Sequence, residues 1–109
     1  MVPERIRQRY LRDPMPIRLA GLASDLSRIA ACAAEQRDAA ALLSLLEEGK
    51  WFAEWAAPDA PLDIQATLAE VQVLMAVWQL RWIAGRPEPL MAEEARRWSD
   101  RLLALSGLV

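Results

Sequence analysis

Apolar residues recur at spacings of three and four along most of this chain, and prolines and glycines cut the pattern into segments. Leu19, Leu22, Leu26, Ile29 and Ala33 form one stripe at helical period, with Arg18, Asp25 and Arg28 on the opposite side. That spacing predicts a first helix over roughly residues 16–34, with Pro16 suited to its opening turn. A polar break at 35–38 follows, and Asp38 is a sound N-cap for a second helix that Pro58 stops near Ala57. Its apolar sector holds Leu42, Leu45, Leu46, Phe52, Ala53 and Ala56. Gly49 lies inside that sector, which signals either close approach of a neighbouring helix or a local bend. The turn at 58–61 leads into a third helix, beginning at Pro61 or just after Asp63 and ending at Gly85. After a loop at 86–89, a fourth helix is expected over 89–105. Gly107 closes it, and Met91, Ala95, Trp98, Leu102 and Leu105 form its core stripe. No stretch alternates with period two, so no strand is predicted.

Four helices with short connections make antiparallel neighbours the default. The expected fold is all-α: an up-down-up-down four-helix bundle over residues 16–109, preceded by a short arginine-rich helical arm over 1–15. The third helix stands apart. From Val71 to Ala84 its strongly polar residues are Gln72, Gln79 and Arg81, and Gln65, Gln72, Gln79 and Arg86 are spaced by seven. A helix apolar on most sides is central to its protein or meets a second subunit, so a homodimer is expected here, with burial by the N-terminal arm or simple loose amphipathicity as the alternatives. The glutamine stripe is either the solvent face of this helix or a buried hydrogen-bonded ladder.

Five tryptophans occur in 109 residues. Trp51 and Trp55 are one turn apart, as are Trp78 and Trp82. Together with Glu48 they are the candidate interface or pocket residues: an indole supplies a large contact area with a polar tip. The same tryptophans would line an apolar pocket if the bundle binds a flat ligand. Glu48 falls among Ala41, Leu45, Phe52 and Trp55 on the helical wheel. A carboxylate so placed needs a partner, for which Arg28 and Arg81 are candidates, or a raised pKa.

The net charge is −2, which argues against nucleic acid as a partner. The charge is uneven. Residues 1–30 carry six arginines and three acids, net +3; the remainder carries seven basic and twelve acidic groups, net −5. With no histidine, the commonest general base and the commonest transition-metal ligand are missing together. No phosphate-binding glycine loop or nucleophile elbow is present either. No catalytic, cofactor or metal residue is therefore assigned. Cys32 is alone and cannot form an internal disulfide. No stretch suits a signal peptide or a transmembrane span, so a cytoplasmic location is expected.

Three stretches carry a resemblance: RIRQRYLRDPMPIRLAGLASDLSRI from Arg5 to Ile29, EGKWFAEW from Glu48 to Trp55, and WSDRLLALSGLV from Trp98 to Val109. Together they resemble a family of short, uncharacterised cyanobacterial proteins. The resemblance implies a bacterial, cytoplasmic, all-helical protein and carries no activity or site with it. The expected role is non-enzymatic: protein–protein interaction with self-association and an unidentified protein partner. A ligand-binding bundle with a tryptophan-lined pocket is the alternative.

Overall fold

The computed structural model describes residues 3–35, 38–86 and 89–108. Positions 36–37 of the expected polar break, 87–88 of the expected loop, and the terminal residues 1, 2 and 109 lie outside them. Among the described residues the protein is all-helical, with no strand. The helices are α1 (Glu4–Arg12), α2 (Met15–Glu35), α3 (Ala39–Ala56), α4 (Leu62–Ile83) and α5 (Met91–Ser106). A single 3₁₀ turn, Ala57–Asp59, follows α3.

The ends of these helices follow local chemistry. Asp38 adopts a left-handed conformation (φ 56°), which its short polar side chain tolerates, and its carboxylate accepts from the Ala41 N–H at 3.1 Å. At the far end of α4, Gly85 takes φ 74°. The Gly85 N–H donates to the Trp82 carbonyl at 3.1 Å and the Arg86 N–H to the Arg81 carbonyl at 2.8 Å. That pair of bonds is the Schellman closure, which needs a positive φ at the glycine.

Lateral packing runs in the order α4, α3, α2, α5, with α1 lying on α3, while α4 and α5 touch only slightly. Leu19, Leu22, Leu26 and Ile29 of α2 meet Leu42 and Leu46 of α3, Met91 and Leu102 of α5, and Leu68, Val71, Met75 and Trp78 of α4 in one buried cluster. Gly49 permits this meeting. A Cβ there would stand 2.6 Å from Met75 Sδ, so the glycine marks close approach of α4.

Two faces differ from the sequence expectation. Arg18 and Asp25, assigned to the wet side of α2, are buried, at 9% and 1% exposure. The reason is that α2 is covered by α3 on one side and α5 on the other, so its buried sector is wider than a single stripe. The inward face of α5 is Met91, Ala95, Ser99, Leu102 and Ser106. Trp98 is only partly buried, and Leu105 is 37% exposed. Small residues decide this: Ala95 and Ser99 let α5 sit close to α2, and the Ser99 hydroxyl donates to the Ala23 carbonyl at 2.7 Å. A tryptophan in that contact would hold the helices apart. Instead Trp98 lies under the guanidinium of Arg101, 4.9 Å from its ring centre.

Candidate functional site

The arginine-rich arm forms a docked helix. Tyr10 stacks on Phe52 of α3 with ring centres 4.1 Å apart and planes 3° from parallel. Its hydroxyl donates to the Arg18 carbonyl at 2.8 Å, and burial raises its pKa. Arg18 closes the joint from the other side. Its guanidinium donates to the carbonyls of Leu11 and Asp13 and to the Asp59 carboxylate, each at 2.8 Å. A cation thus satisfies carbonyls at the C-terminal end of α1, where the helix dipole is negative. Arg5, Arg9 and Arg12 remain exposed on the outer face of α1.

Asp25 of α2 and Glu48 of α3 face each other as a carboxyl pair within hydrogen-bonding reach. Asp25 is fully buried, while Glu48 is partly buried. Burial first, then the hydrogen bond with Glu48 and the charge of that neighbour, push the Asp25 carboxyl up to about 8. Arg28 opposes this weakly, from 3.5 Å and largely in solvent. No N–H or O–H of a described residue donates to Asp25 Oδ2. The hydrogen bond between the two carboxyls requires a proton on one of them, because a protonated carboxyl donates where an ionised one only accepts. The partner shown for Glu48 is thus a second acid. Sequence reasoning missed Asp25, although the signal was present: Arg18, Leu22, Asp25 and Ile29 are spaced 4, 3 and 4, a helical row of their own.

On its opposite flank α3 is tied to α4 by a polar network. The Gln79 amide donates to Glu47 at 2.8 Å, and Lys50 reaches both Glu47, at 3.1 Å, and the Gln79 oxygen. These bonds hold the Glu47 carboxyl below its usual range, the Gln79 contact being the largest cause. Gln79 therefore bridges two helices, and Gln65 and Gln72 are partly buried.

The candidate tryptophans separate. Trp51 and Trp55 stack with ring centres 6.0 Å apart. Trp55 is covered by the docked arm, 6.1 Å from the Tyr10 ring, and borders a surface hollow of about 650 Å³ between α1 and α3. Trp78 is 1% exposed in the core, and Trp82 is partly buried against it; neither joins the Trp51–Trp55 stack. A further hollow of about 710 Å³, bordered by Arg28, Cys32, Glu35, Asp38, Ser44 and Leu45, contains none of the tryptophans. Among the described residues no three histidine, cysteine, aspartate or glutamate side chains converge on a metal position, and no helix is long and apolar enough to cross a membrane.

The most extensive unsatisfied feature is the outer face of α4. Leu62, Val73, Leu80 and Ile83 are 81%, 65%, 69% and 66% exposed. Ala66 and Ala69 are exposed on the same face and Ala76 partly so. Thr67, Leu68, Val71, Met75 and Trp78 on the other side enter the core. A helix with two apolar faces is ordinarily covered on both. No family profile, curated protein or solved structure matches this chain.

Proposed function

We propose that this is a non-enzymatic, cytoplasmic helical protein that acts through protein–protein contact and self-associates through the outer face of α4. The observation that carries the reading is the exposed row of Leu62, Val73, Leu80 and Ile83, with alanines between and no charge within it. The reading takes α2–α5 as an up-down-up-down bundle whose α4–α5 seam stays open. The slight contact of α4 with α5 supports it, as does the pull of α5 towards α2 through Ala95 and Ser99.

Light scattering after gel filtration, at ten to one hundred micromolar chain, tests this. The expected mass is twice the 12.2 kDa of the chain. The double variant Val73→Glu, Leu80→Glu should run as a monomer with unchanged helical circular dichroism, because both side chains are mostly in solvent within one chain. A monomeric wild-type protein across that range overturns the reading.

A further inference from the structure

The outer row of α4 has an internal order. Its positions are 62, 66, 69, 73, 76, 80 and 83, steps of four and three throughout, which is the seam of a two-helix coil. The residues along it are Leu62, Ala66, Ala69, Val73, Ala76, Leu80 and Ile83. From 66 to 83 the three alanines, at 66, 69 and 76, mirror the three large residues, at 83, 80 and 73, about the centre of the stretch. We infer that two copies of this chain pair α4 against α4 in antiparallel fashion, so that Val73, Leu80 and Ile83 of each copy pack on Ala76, Ala69 and Ala66 of the other.

The inference rests on the self-association reading and adds orientation, register and the residues that recognise each other. Three arguments select this pairing. In the antiparallel register whose opposed positions sum to 149, every layer from 66 to 83 combines one large residue with one alanine, so the two axes keep one separation along that part of the seam. Shifting by one heptad sets Leu62 on Leu80, Ala66 on Ala76 and Ala69 on Val73, which spreads the ends and pinches the middle. Parallel pairing sets each residue on itself, with alanine layers in one half and Leu80 and Ile83 in the other, so the helices splay.

Charge agrees with size. On the flank beside the seam, the chosen register places Glu70 against Val77 and Asp63 against Ala84, whereas the shifted register places Glu70 against its own copy. Antiparallel dipoles attract where parallel ones repel, and Asp63 in the first turn of α4 then lies near the end that carries Arg81. The stretch from 66 to 83 covers 17 helical steps, about 26 Å at 1.5 Å per residue. With a width of roughly 10 Å, the footprint is small for a protein interface, so dissociation in the micromolar range is expected.

Cysteine pairing reads the geometry directly. In a Cys32→Ser background, chains carrying Leu80→Cys are mixed with chains carrying Ala69→Cys and oxidised mildly. The expected product is the mixed disulfide, in at least fivefold excess over either self-linked species. Self-linked Leu80→Cys chains as the main product would mean parallel helices. Preferential linkage of Leu80→Cys to Leu62→Cys would mean the shifted register. Either result overturns the inference while the dimer measured by light scattering, and with it the self-association reading, stands. A wild-type protein that is monomeric at one hundred micromolar removes both. As a second measure, Ala69→Leu should weaken the dimer tenfold or more, since it fills the space of Leu80 from the other copy. Ala69 is exposed within one chain, so the fold itself should not suffer. An unchanged or tighter dimer also overturns the pairing.

Discussion

Replacing Asp25 by asparagine should change how the stability of this protein depends on pH. Asp25 titrates ordinarily near 3.8 and is pushed up to about 8 in the folded chain by burial and by Glu48. The direction follows from which state holds the proton. Below about pH 4, folded and unfolded chains both keep it, and the contribution to stability is fully present. As pH rises from about 4 to about 8 the unfolded chain releases the proton and the folded chain does not, so stability falls. Above about 8 both are ionised and the loss is complete. At about 1.4 kcal/mol per pKa unit, a rise of about four units sets a ceiling of roughly 5–6 kcal/mol. Folds of this size are stable by about 5–15 kcal/mol in total. Asparagine does not titrate, and its amide can donate to Glu48 in place of the shared proton. Asp25→Asn should therefore be within about 1 kcal/mol of wild type at pH 4.5 and several kcal/mol more stable at pH 8. Urea unfolding followed by circular dichroism at pH 4.5, 6 and 8 measures the difference. Comparing variant with wild type at each pH cancels the carboxylates that do not touch Asp25, including Glu47, whose lowered pKa acts in the opposite direction. Glu48→Gln should retain part of the slope, because burial of Asp25, the largest cause, remains. A difference between Asp25→Asn and wild type that is constant from pH 4.5 to 8 would refute the reasoning.

Other outcomes follow from packing. Gly49→Ala should destabilise by about 1–3 kcal/mol despite the better helix propensity of alanine, because its Cβ would stand 2.6 Å from Met75 Sδ. In urea melts the loss should shrink in a Met75→Ala background, where the obstructing atoms are gone. Arg18→Met should cost about 2–4 kcal/mol, since the carbonyls of Leu11 and Asp13 lose their donor, and limited proteolysis should then cut first within residues 1–14. Leu102→Ala should cost about 2–5 kcal/mol in thermal or urea unfolding and Trp98→Ala clearly less, because Leu102 is fully buried and Trp98 is not.

The helices were legible because their ends are written in single residues. Asp38, Gly85 and Gly107 stand where caps were expected, and the apolar spacing of α2 named Leu19, Leu22, Leu26 and Ile29, all buried. What was not legible was rotation. A wheel gives the direction of greatest apolarity, which equals the buried direction only when a helix has one neighbour. On α2, with two, the buried sector widened to take in Arg18 and Asp25. On α5, Ala95 and Ser99 outweighed Trp98 because closeness to α2 mattered more than the apolar area of one side chain. The same limit explains the carboxyl pair. Glu48 was visible as an acid in apolar company, but its partner lay on another helix, in a row taken to be wet.

The helix α4 shows how far the spacing can be pressed. Its low amphipathicity signalled two contacts but did not say where they lie. The glutamines at 65, 72 and 79 marked one polar stripe, to be read either as a solvent face or as a buried hydrogen-bonded ladder. The structure divides the remaining circumference into a core face, through Leu68, Val71, Met75 and Trp78, and an outer face that is exposed. Only with the core residues set aside does the order of the outer row, alanines mirrored by large residues, become readable. Alanine is the informative residue there. Ala66, Ala69 and Ala76 mirror Ile83, Leu80 and Val73 about the middle of the row, a symmetry for which a surface that merely faces water has no use. In a seam between two helices, each alanine is the space into which a side chain of the other helix goes.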